Sequence, residues 1–320
     1  MKYLRFFLNA AVSIIIIVLI LQKINFAEVF DIVRHSKMPF FLLSLFIGAL
    51  SIIINAFRWH LLLKHLGYVH SLGSLSKVSF IALFFNTYLP GGIAGDIARV
   101  AIFPKGNGQE MDKAQTSKVA ASVITDRVVG MVGLMILALL GLAFSYELLF
   151  GSKILPIFAV MAVVIIFIFF ILFSKRAQHF INDVVMPSFK LLSPLKSAVK
   201  DVSRALLAYR DNYLIFVKVI SLSMAAHLCV VGYFFLLARS IGVSISFLKL
   251  LAFVPVIEFI SALPISFGGV GVRETATIFM FSSEGINAPE AMSVSLLSFV
   301  VILLLGLVGG GFFACRNNKN

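Results

Sequence analysis

Six stretches of this chain, 6–21, 39–57, 128–146, 154–173, 214–237 and 291–314, run without a charged residue except Lys218 near one end of the fifth. A helix needs about 20 mostly apolar residues to cross a hydrocarbon layer of roughly 30 Å. Each stretch is close to that length, so each predicts a transmembrane helix. Two further apolar segments read differently. Residues 78–95 are VSFIALFFNTYLPGGIAG and residues 250–272 are LLAFVPVIEFISALPISFGGVGV; both end in proline and clustered glycine, and the second carries Glu258 in its middle. Proline and glycine interrupt a lipid-facing helix, and broken backbone at membrane depth survives only where neighbouring protein shields it. These two segments therefore predict helical hairpins that enter, break and return.

The placement of lysine and arginine decides between re-entrant and spanning hairpins. With both hairpins re-entrant and the N-terminus cytoplasmic, 19 basic residues lie inside and 7 outside, with Lys218 at the inner edge of its span. If both segments cross instead, 10 lie inside and 17 outside. Basic residues favour the cytoplasmic side. The expected fold is an all-α polytopic membrane protein with about six transmembrane helices plus two re-entrant helical hairpins. Both termini are expected in the cytoplasm and the host membrane is expected to be a bacterial inner membrane.

The two broken segments also match each other without gaps. Leu89-Pro90, Gly95 and Arg99 recur as Leu263-Pro264, Gly269 and Arg273 at an offset of 174, giving the shared pattern Leu-Pro-x4-Gly-x3-Arg. Backwards in the same register, Trp59 falls at Tyr233 and Leu62-Leu63 at Leu236-Leu237, with Gly67 within one position of Gly242. Each copy holds three spans, an odd number, so the second must lie upside down relative to the first. The chain is then a single integral-membrane domain, 1–320, made of inverted repeats at 1–150 and 151–320 joined by a basic cytoplasmic connector at 174–213. Paired broken helices between inverted repeats are the architecture of transporters whose site lies between the halves.

Composition agrees with burial in lipid: 60% of residues are hydrophobic and 13% charged, with a mean hydropathy of +1.05. Soluble domains are nearer half apolar and a quarter charged. The net charge of +13 follows from the basic inner loops and does not indicate nucleic acid. Lys2 and Arg5 precede an apolar run as in a signal peptide, but no small-residue cleavage site follows, so a retained first span is expected. Cys229 and Cys315 form no metal or disulfide pattern, and His60, His65 and His70 turn about 140° per step on a helix, so no metal site is expected. Walker A, His-Glu-x-x-His and Gly-x-Ser-x-Gly strings are absent from the sequence. No cofactor and no enzymatic activity are expected.

Arg99 and Arg273 are the first candidates to meet a substrate. A guanidinium presents a fixed fork of donors that fits phosphate and stays charged at every relevant pH. A phosphate at membrane depth needs such a partner, because an uncompensated charge there is costly. The plainer alternative is that each arginine sits at a hairpin exit and snorkels to the interface. Asp126 and Arg127, at the head of the span 128–146, suit a structural ion pair, with Asp126 available to hold Arg99. Glu258 can carry a proton, bind a cationic headgroup or neutralise an arginine, and Glu274 is expected at the interface.

The string Asn86-x2-Leu89-Pro90-Gly91-Gly92-x2-Gly95-Asp96-x2-Arg99, then Asp126-Arg127, then Pro264-x3-Gly268-Gly269-x-Gly271-x-Arg273-Glu274, resembles the lysylphosphatidylglycerol synthase transmembrane-region family, or flippase-like domain. Arg58-Trp59 fits the pattern ahead of the first hairpin. The candidate substrate-binding residues are therefore the motif residues Asn86, Gly91, Gly92, Gly95, Asp96, Arg99, Asp126, Arg127, Gly268, Gly269, Arg273 and Glu274, together with Glu258 from the second broken segment. The resemblance implies movement of a lipid between leaflets, in known members an aminoacylated phospholipid, and a soluble synthase domain that would follow is not present in the 320 residues. Candidate lipids are therefore an anionic or aminoacylated phospholipid or a polyprenyl phosphate. A lipid-headgroup enzyme and an accessory subunit presenting lipid to a separate lipid-modifying enzyme stay open as alternatives, and so does a homo-oligomer.

The topology is checkable by thiol labelling in a chain lacking Cys229 and Cys315. Cysteines placed at Gly106 and Ser193 should react only with membrane-permeant reagents, and one at Asn287 should react from outside. Labelling of position 106 from outside would make the first hairpin a span.

Overall fold

The computed structural model describes residues 26–89, 92–103, 112–145, 156, 158–160, 163, 213–262 and 269–317. The expected span at 6–21, most of that at 154–173, all of the 174–213 connector but Tyr213, and the motif residues Pro90, Gly91, Leu263, Pro264 and Gly268 lie outside them. Among the described residues no strand occurs. The chain runs through α1 (Phe26–Arg34), α2 (Met38–His65), α3 (Leu72–Tyr88), α4 (Ala94–Ala101), α5 (Lys113–Phe144), α6 (Tyr213–Ser240), α7 (Phe247–Ala262), α8 (Val272–Ser282) and α9 (Ala288–Asn317).

Local chemistry explains where these helices begin and end. Pro39 occupies the first turn of α2, where its missing N–H costs nothing. The Ser71 hydroxyl accepts the Ser74 N–H at the start of α3. Asp112 and Gln115 close a reciprocal capping box on α5, with bonds of 2.6 and 3.2 Å. Asn287 Oδ1 accepts the Glu290 N–H at 2.9 Å at the start of α9. Gly67 and Gly242 sit just past the ends of α2 and α6 at φ +86° and +83°, and at each the following residue's N–H returns to a carbonyl of the last turn, Tyr68 to Leu63 and Val243 to Ala238.

Four helices are long and apolar enough to cross a membrane, at Met38–His65, Gln115–Phe144, Leu214–Ser240 and Ala288–Arg316. They correspond to four of the six expected spans. One expectation is corrected: α5 begins at Lys113, well before 128, so Asp126 and Arg127 lie inside a 32-residue helix and not at its head. At 1.5 Å per residue they stand roughly 20 Å from its N-terminus. The capping box at Asp112 explains the extension, because it starts the helix on a polar turn that hydropathy alone does not mark.

The element order repeats. α2 and α6, α3 and α7, and α5 and α9 share their bounds at offsets of 173 to 175 residues, while α4 and α8 correspond more loosely. The packing repeats with it. α2 lies along α6, α3 lies along α9 as α5 lies along α7, and the short helices α4 and α8 fold back on α3 and α7. The outer faces of α2, α6 and α9 carry exposed Phe46, Val217 and Leu307, whereas Ser44, Ser223 and Ser298 are turned inward. Packing without a water-driven hydrophobic force relies on small residues that let backbones touch. A Cβ at Gly141 would overlap the backbone of Leu251 and Ala252, and one at Gly309 would overlap the Phe80 carbonyl, so glycine sets both the α5–α7 and the α3–α9 crossings.

Gly309→Val and Gly141→Val should each lower the thermal midpoint of the detergent-purified protein, at a cost of about 1–3 kcal/mol or more from overpacking. Gly311→Ala, where a Cβ meets nothing within 4 Å, should leave it unchanged. Equal stability of all three would contradict the crossings described.

Candidate functional site

Asp126 and Arg127 are neighbours on α5 and project about 100° apart, so they meet different partners. The Asp126 carboxylate is shared by two arginines: Arg58 Nε of α2 donates to Oδ1 at 2.7 Å, and Arg99 Nη1 of α4 donates to Oδ2 at 2.9 Å. Arg58 donates further to Ser223 Oγ of α6 at 3.1 Å, and that hydroxyl donates to the Gly130 carbonyl at 3.2 Å. His227 Nε2 lies 3.1 Å from the same carbonyl. Arg99 stacks 4.1 Å above Trp59, and the Trp59 indole N–H is fixed on Ser122 Oγ at 3.0 Å. The planar guanidinium thus rests on an aromatic face while one edge grips a carboxylate. Its Nε is buried without a hydrogen-bond partner.

Arg127 turns to the break between α3 and α4. Its Nη1 donates to Asp96 Oδ2 at 2.6 Å and its Nη2 to the Gly92 carbonyl at 3.2 Å. Asp96 lies in the first turn of α4, where a carboxylate favours the helix dipole. Asn86 Oδ1 accepts the Gly95 N–H at 2.7 Å, and a side chain at Gly95 would collide with the Ala82 carbonyl. Gly92 takes φ +65° within the break. Asn86, Gly92, Gly95 and Asp96 are therefore tied by hydrogen bonds around the break that leads into α4, which carries Arg99 to Asp126.

These side chains border a cavity of about 430 Å³. Asn55, Ser79 and His227 add polar atoms, and Ile52, Leu83 and Met131 supply apolar wall. Among the lining residues are three arginines, Arg58, Arg99 and Arg127, and three carboxylates, Asp96, Asp126 and Glu258. Glu258 comes from α7 in the second half of the chain, is half-buried, and has no hydrogen bond or ion pair with a described residue.

The cavity therefore gathers Asn86, Asp96, Arg99, Asp126, Arg127 and Glu258, with Gly92 and Gly95 framing its wall. Arg273 does not line it. That guanidinium is buried, 4.7 Å above the Phe299 ring and 3.3 Å from Glu274. Glu274 was expected at the interface, and the structure corrects this. It is buried, accepts the Gly271 N–H at the start of α8, and receives Ser295 Oγ at 3.4 Å. An unpaired helix terminus inside protein needs such an acceptor. Gly269 takes φ +77° beside the Ser261 carbonyl. Sequence reasoning gave no individual role to Arg58, Trp59, Ser223 and His227; the adjacent Arg58-Trp59 pair closing an apolar run was the one usable signal.

The long apolar helices, with a charged cavity among them, define a polytopic membrane protein. The chain belongs to the lysylphosphatidylglycerol synthase TM region family, whose model matches residues 6–310. A UPF0104 membrane protein of Pyrococcus horikoshii is 23% identical over 334 residues, covering 98% of this chain and 97% of that protein. Family membership is consistent with a membrane lipid-related function.

Removing one partner from a buried ion cluster leaves the others uncompensated, at a cost of about 3–5 kcal/mol. Asp126→Asn should therefore lower the thermal midpoint sharply, and adding Arg58→Gln to it should recover part of the loss by removing one of two facing cations. An Asp126→Asn protein as stable as wild type would show that the shared carboxylate does not hold the site together.

Proposed function

We propose that the chain moves a lipid bearing a phosphate headgroup between leaflets of the membrane, with the cavity as the polar path for the headgroup. The observation that carries this reading is the cluster in which two arginines share one aspartate. Arg127 and Asp96 neutralise each other, so the Arg58–Asp126–Arg99 cluster retains one surplus positive charge facing the cavity. A surplus cation away from bulk water is costly unless an anion answers it. Arg99 lines the cavity, and its Nε has no protein hydrogen-bond partner, so the guanidinium keeps donor capacity for a phosphate oxygen; charge-assisted bonds of this kind are the strong ones. Apolar wall and apolar outer helix faces suit acyl chains that stay in lipid while the headgroup crosses.

The repeat in element order and the basic-residue tally support an inverted arrangement, with α3–α4 and α7–α8 as re-entrant hairpins entering from opposite sides and both termini in the cytoplasm. The cavity lies where the first hairpin meets α7 of the second half, as expected when a site forms between inverted halves. Arg273, fixed on Glu274 and Phe299, holds the second hairpin. No covalent step on the lipid is part of this reading.

Proteoliposomes containing the pure chain and acyl-labelled phospholipid test it. Wild type should equilibrate label between leaflets far faster than empty vesicles, and the lipid's mass should not change. Arg99→Ala should lower the rate about tenfold or more, the scale of a hydrogen bond to a charged group, and Arg99→Lys should restore only part because a point charge lacks the planar fork. An Arg99→Ala protein that moves lipid at the wild-type rate, or a wild type that changes the headgroup's mass, would contradict the reading.

A further inference from the structure

Charge around the cavity is divided between the two halves of the chain. The first half contributes Arg58, Arg99, Arg127, Asp96 and Asp126, which together leave one positive charge. The second half contributes Glu258 from α7, together with His227, counted as neutral and bonded to the Gly130 carbonyl. Glu258 has no hydrogen bond or ion pair among the described residues, and Arg273, the remaining cation whose field reaches it, is held by Glu274. The lining side chains thus present one surplus cation and one unpartnered carboxylate, borne by different halves across one space of about 430 Å³, a size that admits a small ligand.

A headgroup that satisfies both walls must carry one negative and one positive charge. A phosphate at the Arg99 edge answers the surplus cation, and an ammonium at Glu258 answers the carboxylate. A purely anionic headgroup, such as a glycerol phosphodiester or a polyprenyl phosphate, would put a second negative charge beside an ionised Glu258. A headgroup with two amines would leave one of them unmatched by any free carboxylate on the lining. Resting on the lipid-transport reading, we propose that the cavity selects net-neutral zwitterionic phospholipids of the phosphoethanolamine class, with Glu258 as the residue that reads the amine. Glu258 is then a specificity residue, and its loss should erase discrimination between headgroups without abolishing movement.

The test uses the full chain in vesicles with three acyl-labelled phospholipids: a phosphoethanolamine lipid, phosphatidylglycerol, and a lysine ester of phosphatidylglycerol bearing two amines. Wild type should move the first about tenfold faster than either other, the scale of one hydrogen bond to a charged group. Glu258→Gln, which keeps the shape and removes the charge, should bring the phosphoethanolamine and phosphatidylglycerol rates together. The same ratio is read independently from the lipids that wild type and Glu258→Gln retain through purification, weighed by mass spectrometry. Movement without headgroup preference in wild type, or a preference that survives Glu258→Gln, overturns the proposal and leaves the transport reading standing. Phosphatidylglycerol moving as fast as the phosphoethanolamine lipid with uptake of one proton per lipid would also overturn it, the proton being the cation at Glu258. Absence of movement together with Glu258-dependent retention of the phosphoethanolamine lipid would overturn the transport reading and uphold the headgroup assignment. Wild-type preference among the three lipids decides the headgroup class even if Glu258→Gln fails to fold, and Glu258→Ala then reads the part played by Glu258.

Discussion

The Asp126 carboxylate is the point on which the structure turns, because it joins elements that the sequence keeps far apart. Arg58 reaches it from α2 and Arg99 from α4, while Ser223 of α6 braces Arg58 from behind. A buried charge without partners is expensive, and a buried pair is satisfied only when its geometry and remaining hydrogen bonds are good. Here one anion holds two cations, so the cluster closes the packing of four helices yet remains short of neutral. That shortage is what the proposed lipid phosphate would answer.

The frame and the chemistry follow different symmetries. Helix bounds, C-terminal glycine caps and helix pairings recur between the halves. The charged residues that line the cavity largely do not: at the offset of 174, Asp126 corresponds to Val300, Arg58 to Gly232 and Glu258 to Phe84, and among them only Arg99 has a charged counterpart, in Arg273. Arg273 meets its own neighbour Glu274 and a phenylalanine, where Arg99 meets Asp126 and a tryptophan. One half therefore anchors its hairpin with a closed pair, and the other opens its arginine to a cavity. A repeated helix frame thus carries a charged site that is not repeated.

Much of the frame was legible in the chain because hydropathy at membrane depth is strong and periodic. The spans at 39–57, 214–237 and 291–314 became α2, α6 and α9, and the Arg of each Leu-Pro-x4-Gly-x3-Arg string fell on the short helix, α4 or α8, that follows. The start of α5 was not legible, since a polar capping box at Asp112 lengthens the helix beyond its apolar part and moves Asp126 inward. Within the site, Arg99, Asp126 and Glu258 stood out as ionisable residues near apolar segments. Arg58 did not, because an arginine at the end of an apolar run reads as an interface anchor until its partner 68 positions away is known. The burial of Glu274 was hidden for the same reason: Ser295 and the Gly271 N–H that receive it come from tertiary contact and from a cap.

The central claim is that the surplus charge on the Arg58–Asp126–Arg99 cluster receives a lipid phosphate. An electron-microscopy structure of the full chain in nanodiscs of phosphoethanolamine lipid tests it most directly. The account predicts density for a phosphate inside the cavity, within hydrogen-bond distance of the Arg99 guanidinium, with its acyl chains leading out to the bilayer. Phosphates found only along the outer helix faces, with none beside the Arg99 guanidinium in the cavity, would contradict it.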